Sequence, residues 1–239
     1  MRESVLNVFN RATLDSSSNF NKIIRFCTVN VRSLMNKLQY LNNLVRDSEI
    51  GVVSVTETWL TGEVASSFVA LSGFSFYRGD GVGVVRRHGT GLYISEGLKH
   101  VQVEVGLANV VVVYLLDLDV YVVSIYRPPS YSQQENGEVL EFLRAFSTGR
   151  ELVVLGDFNL PTLSWPTSSA SGVPVRPVDR DFNECFVECG LNQWVEEGTY
   201  TSSGNTLDLI LTSEEDRVLD VQVLDPLPGC DHSPVVSGV

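Results

Sequence analysis

The chain is 239 residues long, 44% hydrophobic, and carries 29 acidic against 17 basic side chains, a formal charge of −12. That apolar content supports a sizeable core, in one large α/β domain or two small ones, and excludes global disorder. The acidic balance argues against a broad basic surface for nucleic acid, yet it suits phosphate chemistry, because carboxylates that hold a divalent cation add to the same negative total.

Residues 1–21, MRESVLNVFNRATLDSSSNFN, lack periodicity and end in a Ser/Asn cluster; they read as a leader or linker, with the domain running over residues 22–239. IIRFCTV is a strand. Leu34, Leu38, Leu41 and Val45 then recur at helical spacing, with Ser33 placed to cap the helix. IGVVSVT is the next strand. From Phe74 to Tyr126 short β runs alternate with Gly-rich turns, the pattern of antiparallel pairing. The most apolar region, Val110 to Tyr126, is cut by Asp117 and Asp119 and reads as a hairpin, not a membrane span; no basic-then-apolar signal opens the chain. A helical pattern returns from Glu138 to Phe146, followed by the buried-looking strand ELVVL. Residues 161–179, rich in Pro, Ser and Gly, form a long surface loop. A helix at about Arg180 to Cys189 and strands near NQWVEE, TLDLILT and VLDVQVL complete a layered α/β sandwich with helices outside.

Local basic groups are few. RRHG at Arg86 to Gly89 and Arg127 read either as solvated loops or as DNA contacts. The four cysteines, Cys27, Cys185, Cys189 and Cys230, form no CxxC pair, which points to a reducing compartment. Cys185 and Cys189, one helical turn apart, are assigned to packing, since a metal pair needs further ligands.

The strand endings carry the functional signal. IIRFCTV runs into Asn30, IGVVSVT into Glu57, YVVSI into Tyr126, and ELVVLG into Asp157 and Asn159. A common edge of a twisted sheet is where open α/β folds place their ligands. Near the C-terminus Asp208 lies inside an apolar run, costly unless paired, and Asp231 stands beside His232 in GCDHSPVV. Carboxylates for a hard cation, an Asp/His pair for proton handling, and Asn and Tyr donors for an anion together suit phosphodiester hydrolysis.

In order, the segments NVRSLMNK, TETWL, IYRPP, GDFN, NTLDLIL and DHSPV resemble the endonuclease domain of a LINE-type (non-LTR) retrotransposon. That family lies in the apurinic/apyrimidinic-endonuclease-like branch of the endonuclease/exonuclease/phosphatase superfamily. The resemblance spans about Ile23 to Val239. It implies a four-layered α/β sandwich of two mixed β-sheets packed face to face with helices on the outside. It further implies that Glu57 is the principal Mg²⁺ (or Mn²⁺) ligand, with Asp231 and Asn30. Asp157 orients or activates the attacking water; Asn159, Asn30 and Tyr126 hold the scissile phosphate; His232, paired with Asp208, stabilises or protonates groups at phosphorus. Arg32, Arg127, Thr201, Ser202 and Asn205 are the expected contacts to double-stranded DNA. The product expected from the family is a nick whose 3′-hydroxyl primes reverse transcription. A reverse transcriptase domain of the same polyprotein, a nuclear location, no membrane and a monomeric isolated domain are expected with it. The end at VVSGV would then mark an excised domain or a host-derived protein.

The sequence departs from the family pattern in places. Cys230 stands where a Ser often precedes the Asp-His pair, and Pro129 where some relatives carry an Asn. Thr201 is assigned to the hairpin with Thr199 as the alternative. Two other functions compete: a phosphoesterase acting on inositol or lipid phosphates, which suits the acidity, and an inactive DNA-binding derivative. Tyr126, where lipid phosphodiesterases usually place a His, counts against the first; the full set of metal and acid/base positions counts against the second.

Overall fold

Side chains alternate across each strand, and here the alternation sorts the apolar residues into three separate cores. In the computed structural model, which describes residues 23–81, 88–165 and 175–239, strand β1 (Arg25–Asn30) sends Phe26 to one side and Cys27 and Val29 to the other. Strand β2 (Ile50–Thr56) does the same with Val52 against Val53 and Val55. Helix α1 (Leu38–Asp47) covers the outer side with Leu41 and Val45.

The first sheet also holds β3 (Phe74–Gly79) and β4 (Thr90–Ser95). In the second sheet are β5 (His100–Val103), β6 (Val110–Leu115), β7 (Val120–Tyr126) and β8 (Leu152–Asp157). Helices α2 (Gln133–Ser147) and α3 (Pro177–Glu188) lie on its outer face, burying Val139, Leu143, Phe182 and Phe186 against Val123, Val154 and Leu209. Strands β9 (Asn192–Gln193), β10 (Asp208–Thr212), β11 (Val221–Val223) and β12 (Val235–Gly238) complete the sheets. The orders are β11-β12-β1-β2-β4-β3 and β5-β6-β7-β8-β10-β9. Among the described residues only β1/β2 and β7/β8 pair in parallel, so both sheets are mixed. Between them Phe26, Val52, Leu92 and Ile94 meet Val113, Val122, Val153 and Ile210. Each such side chain contributes roughly 1.5–3 kcal/mol by burial. The helix–sheet–sheet–helix order is the expected four-layered sandwich.

Several local expectations shift. Ser33 does not cap a helix: it sits at φ +85° with no side-chain capping bond, and a 3₁₀ turn, Leu34–Asn36, precedes α1. Helix α2 starts earlier than its apolar period suggests, because Ser132 and Glu135 form a reciprocal capping box ahead of it. The segment 161–179 is shortened by α3, which begins with Pro177 in its first turn. The expected leader at residues 1–21, the basic pair Arg86 and Arg87, and residues 166–174 lie outside the described residues. Among the described residues no helix is long and apolar enough to cross a membrane.

Candidate active site

Strand register delivers the polar strand ends to one edge. Asp157 pairs with Tyr126 on one side and with Asp208 on the other, while Asn30 pairs with Thr56, next to Glu57. Gly156 makes the bend possible: at φ +143° any Cβ would collide with the Ile125 carbonyl.

Asn30, fully buried, joins the two sheets. Its Nδ2 donates to Glu57 Oε1 and to Asp157 Oδ2, each at 2.9 Å, and its Oδ1 accepts the Arg32 N–H at 3.2 Å. Glu57 also accepts from Tyr126 Oη at 3.3 Å and from the Trp59 indole N–H at 3.2 Å. Asp157 Oδ1 accepts the Asn159 backbone N–H at 3.1 Å. Burial, followed by the Asp208 charge, pushes the Asp157 carboxyl above its usual range, which suits a proton acceptor at neutral pH. Burial and the charges of Glu57 and Asp157 push the Tyr126 phenol up, so it stays protonated and a donor.

On the other flank, His232 Nδ1 lies 2.7 Å from Asp208 Oδ2, which also accepts the Thr199 hydroxyl at 2.7 Å. Thr199 Oγ1 in turn accepts the N–H groups of Leu207 and Asp208. Thr199, the alternative to Thr201, is therefore a buried positioning residue for Asp208. Its only signal in the sequence is its place nine residues before that carboxylate. Burial pulls the His232 imidazole down, but the Asp208 charge and hydrogen bond, with Asp157 and Asp231, lift it to about 9.

That shift predicts a pH dependence of stability. A folded-state value raised above 6.5 means the stabilisation is complete below pH 6.5 and lost as pH rises through about 9. In metal-free protein, urea unfolding of wild type and His232→Gln at pH 6 and pH 9.5 should show the gap between them shrink by roughly 3 kcal/mol.

The expected DNA contacts divide. Thr201 and Ser202 are exposed on a tight turn, Asn205 is half-buried, and Thr201 is tied by its N–H and hydroxyl to the Asp231 carbonyl at 2.9 and 3.0 Å. Arg32, at φ +40°, reaches across the cleft to Asp231 Oδ2 at 2.9 Å. Arg127 does not fit the expectation of a DNA contact. It is 2% exposed, and its guanidinium donates to Asn136 Oδ1 and to the carbonyls of Phe158 and Asn159 over the Phe182 ring. It holds the GDFN loop in place from beneath. Arg127→Met is therefore expected to lower unfolding free energy in urea by about 3 kcal/mol or more, leaving carbonyls unpaired, without changing the DNA affinity of the folded fraction. Pro129 lines the cleft with no donor, and the Cys230 thiol donates to the Val31 carbonyl at 3.5 Å.

The cleft above these groups, about 470 Å³, is lined by Arg32, Glu57, Trp59, Tyr126, Asp231 and His232 among others. Trp59 and His88, absent from the expected set, also face it. Two sets of groups bear on cation binding. Asp157, Asp208 and His232 bring ligand atoms within 4.8 Å of one another, but all are buried and Asp208 is already paired with His232. Glu57 and Asp231 instead line the cleft, and Asp231 Oδ1 is buried without a hydrogen-bond partner among the described residues. A Glu57 carboxylate facing the cleft beside an unpartnered Asp231 oxygen fits a hard divalent cation, which takes oxygen ligands. Asn30 is largely spent on orienting Glu57 and Asp157, leaving one Oδ1 lone pair.

The four-layered α/β sandwich with its polar edge is a fold shared with several solved nucleases. The apurinic/apyrimidinic (AP) endonuclease LMAP from Leishmania major superposes with a TM-score of 0.74 at 18% identity, covering 97% of this chain and 92% of that one. The 3′-5′ exonuclease NExo from Neisseria meningitidis gives 0.71 at 20% identity, over 90% and 98%. The endonuclease domain of TRAS1, a telomere-specific non-LTR retrotransposon, gives 0.68 at 16% identity, over 91% and 98%. Residues 120–236 match the family described as endonuclease-reverse transcriptase. The resemblance to a retrotransposon endonuclease, drawn from the six motifs, is upheld by that match together with the shared fold. No curated protein matches the chain in sequence.

Proposed function

We propose that the protein is a divalent-metal-dependent endonuclease that nicks double-stranded DNA and leaves a 3′-hydroxyl able to prime reverse transcription at the target. The observation that carries this reading is the continuous polar line Glu57–Asn30–Asp157 beside Asp208–His232, which spans both sheets at one edge. Glu57, with Asp231, would hold Mg²⁺ or Mn²⁺, which when bound supplies Lewis-acid stabilisation of charge on phosphate oxygens.

The chain's own residues do the rest. Asp157 accepts a proton from the water that attacks phosphorus, and the P–O3′ bond breaks to give a 5′-phosphate and a 3′-oxyanion that takes up a proton from solvent to become the 3′-hydroxyl. Asn159 and Tyr126 hold the phosphate, and the His232 imidazolium, kept charged by Asp208, faces the negative charge that grows on its oxygens. Thr201, Ser202 and Asn205 form the hairpin that meets the DNA groove, with Arg32 contributing at the cleft wall. The reading also places the domain in the nucleus, as a monomer, beside a reverse transcriptase domain of the same polyprotein.

The test is conversion of supercoiled plasmid to open circles with Mg²⁺, Mn²⁺ or EDTA, followed by extension of the nick by a polymerase, which requires a 3′-hydroxyl. Metal-dependent nicks that extend support the reading. Intact plasmid from folded protein sinks it and turns attention to inositol and lipid phosphates, the class its acidity favours.

A further inference from the structure

His88 belongs to none of the six motifs, yet its surroundings form a platform aimed at the cleft. The His88 carbonyl accepts the Trp59 N–H at 2.9 Å and the Gly89 carbonyl accepts the Thr58 N–H at 3.2 Å, so this segment is stitched to the one that leaves Glu57. The Gly89 N–H donates to Asn109 Oδ1 at 2.8 Å, and the Asn109 carbonyl accepts the Tyr126 N–H at 3.0 Å, which stitches it to the Tyr126 segment as well. Gly89 lies at φ +102°, where a Cβ would strike Thr58, and a Cβ on Gly81 would strike the His88 side chain. Gly81 thus clears space for this imidazole, and Gly89 lets the segment pack closely on Thr58.

The ring stands edge-on to Tyr126, centroids 6.0 Å apart, and lines the cleft beside Glu57. The chain's other histidines are engaged: His100 Nδ1 with the Leu98 carbonyl, His232 Nδ1 with Asp208. The ring nitrogens of His88 bond to none of the described residues. Burial lowers its pKa, against the pull of Glu135 and Glu57, so near neutral pH the ring presents one N–H and one lone pair.

We propose that His88 is a substrate-binding residue that donates a hydrogen bond to the DNA phosphate flanking the scissile one on the cut strand. This rests on the endonuclease reading. A neutral donor suits the place: in that reading Tyr126 and Asn159 serve the scissile phosphate, His88 is the next ring beside Tyr126 in the cleft lining, and an acidic protein gains from a local donor at a further phosphate. Phosphate contacts of this kind fix the register of the duplex without reading its sequence.

The experiment measures binding of a fluorescent duplex with Mg²⁺ present, in an Asp157→Asn background that leaves the DNA intact. Neutral methylphosphonates replace single phosphates around the nick position. His88→Ala should weaken binding about tenfold and His88→Gln, which keeps an N–H, should recover part of the loss, whereas His100→Ala should bind as the background does. One methylphosphonate should weaken binding by the background protein and have no effect in His88→Ala; that coupling is a signature a structural role would not give. Thermal unfolding of each variant confirms the fold. Equal affinity of His88→Ala and its background overturns the proposal, as does an equal methylphosphonate penalty in both, or a dependence on base identity in place of phosphate. Wild-type protein that neither nicks nor binds duplex defeats the endonuclease reading itself, whereas nicking with an unaltered His88→Ala defeats this inference alone.

Discussion

Asp157→Asn is expected to slow DNA nicking by about a thousandfold, within the 10²–10⁴ range of a lost general base, while the protein remains folded and bound to duplex. The amide keeps the shape of the carboxylate and one acceptor oxygen, so the Asn159 N–H at 3.1 Å retains its partner. It cannot take a proton from water. It also removes a buried charge beside Asp208, a gain offset by a conflict with Asn30. The Asn30 Nδ2 already points at position 157, and its Oδ1 holds the Arg32 N–H, so a second amide NH₂ meets another donor there. The two changes oppose each other, and the melting temperature should move by only a few degrees. Nicking rates at saturating DNA, with calorimetry on the same samples, check both halves; a kcat within tenfold of wild type would remove Asp157 from the role of base.

The second large effect concerns Asp208 and His232, which should behave as one unit. His232→Gln and Asp208→Asn should each cost about 10²–10³ in kcat, and the double variant little more than either alone, because each partner is useful only through the other. With the charge of Asp208 gone, His232 loses the interaction that keeps it protonated. With the imidazole gone, the carboxylate keeps only the Thr199 hydroxyl, and its Oδ1 has no partner among the described residues. A double-mutant cycle on kcat measures the coupling. Additive losses would mean that the two residues act separately at phosphorus.

How far the sequence disclosed this site depends on which physical signal each residue left. Asn30, Glu57, Tyr126 and Asp157 were legible because each ends or follows a strand buried on both faces, where a polar side chain is conspicuous. Asp208 was legible for the same reason. Arg127 misled because an arginine beside prolines looks solvated, whereas two of its partners are backbone carbonyls more than thirty residues away. The Arg32–Asp231 pair, 199 residues apart, left no local trace. His88 sits in a stretch without periodicity, and its relation to Tyr126 exists only once the sheets are stacked. The Ser132/Glu135 capping box, by contrast, stands in the sequence as S-x-x-E, ahead of the apolar period that marks the helix.

The backbone around the cleft has a cost. Arg32, Ser33, Glu57, Trp59 and Asn159 all hold positive φ without being glycine. Each left-handed L-residue costs on the order of 1 kcal/mol, so the rest of the fold must hold these strand exits in shape. Ser33 shows the trade most clearly, since among the described residues its hydroxyl has only a 3.4 Å contact with the Asn36 amide. Ser33→Gly should raise stability by up to about 1 kcal/mol in urea unfolding, with the Leu34–Asn36 turn intact. The same relief at Glu57 or Asn159 would remove a side chain that the cleft presents, so the strain that can be shed freely at Ser33 is tied at those two exits to the groups they carry.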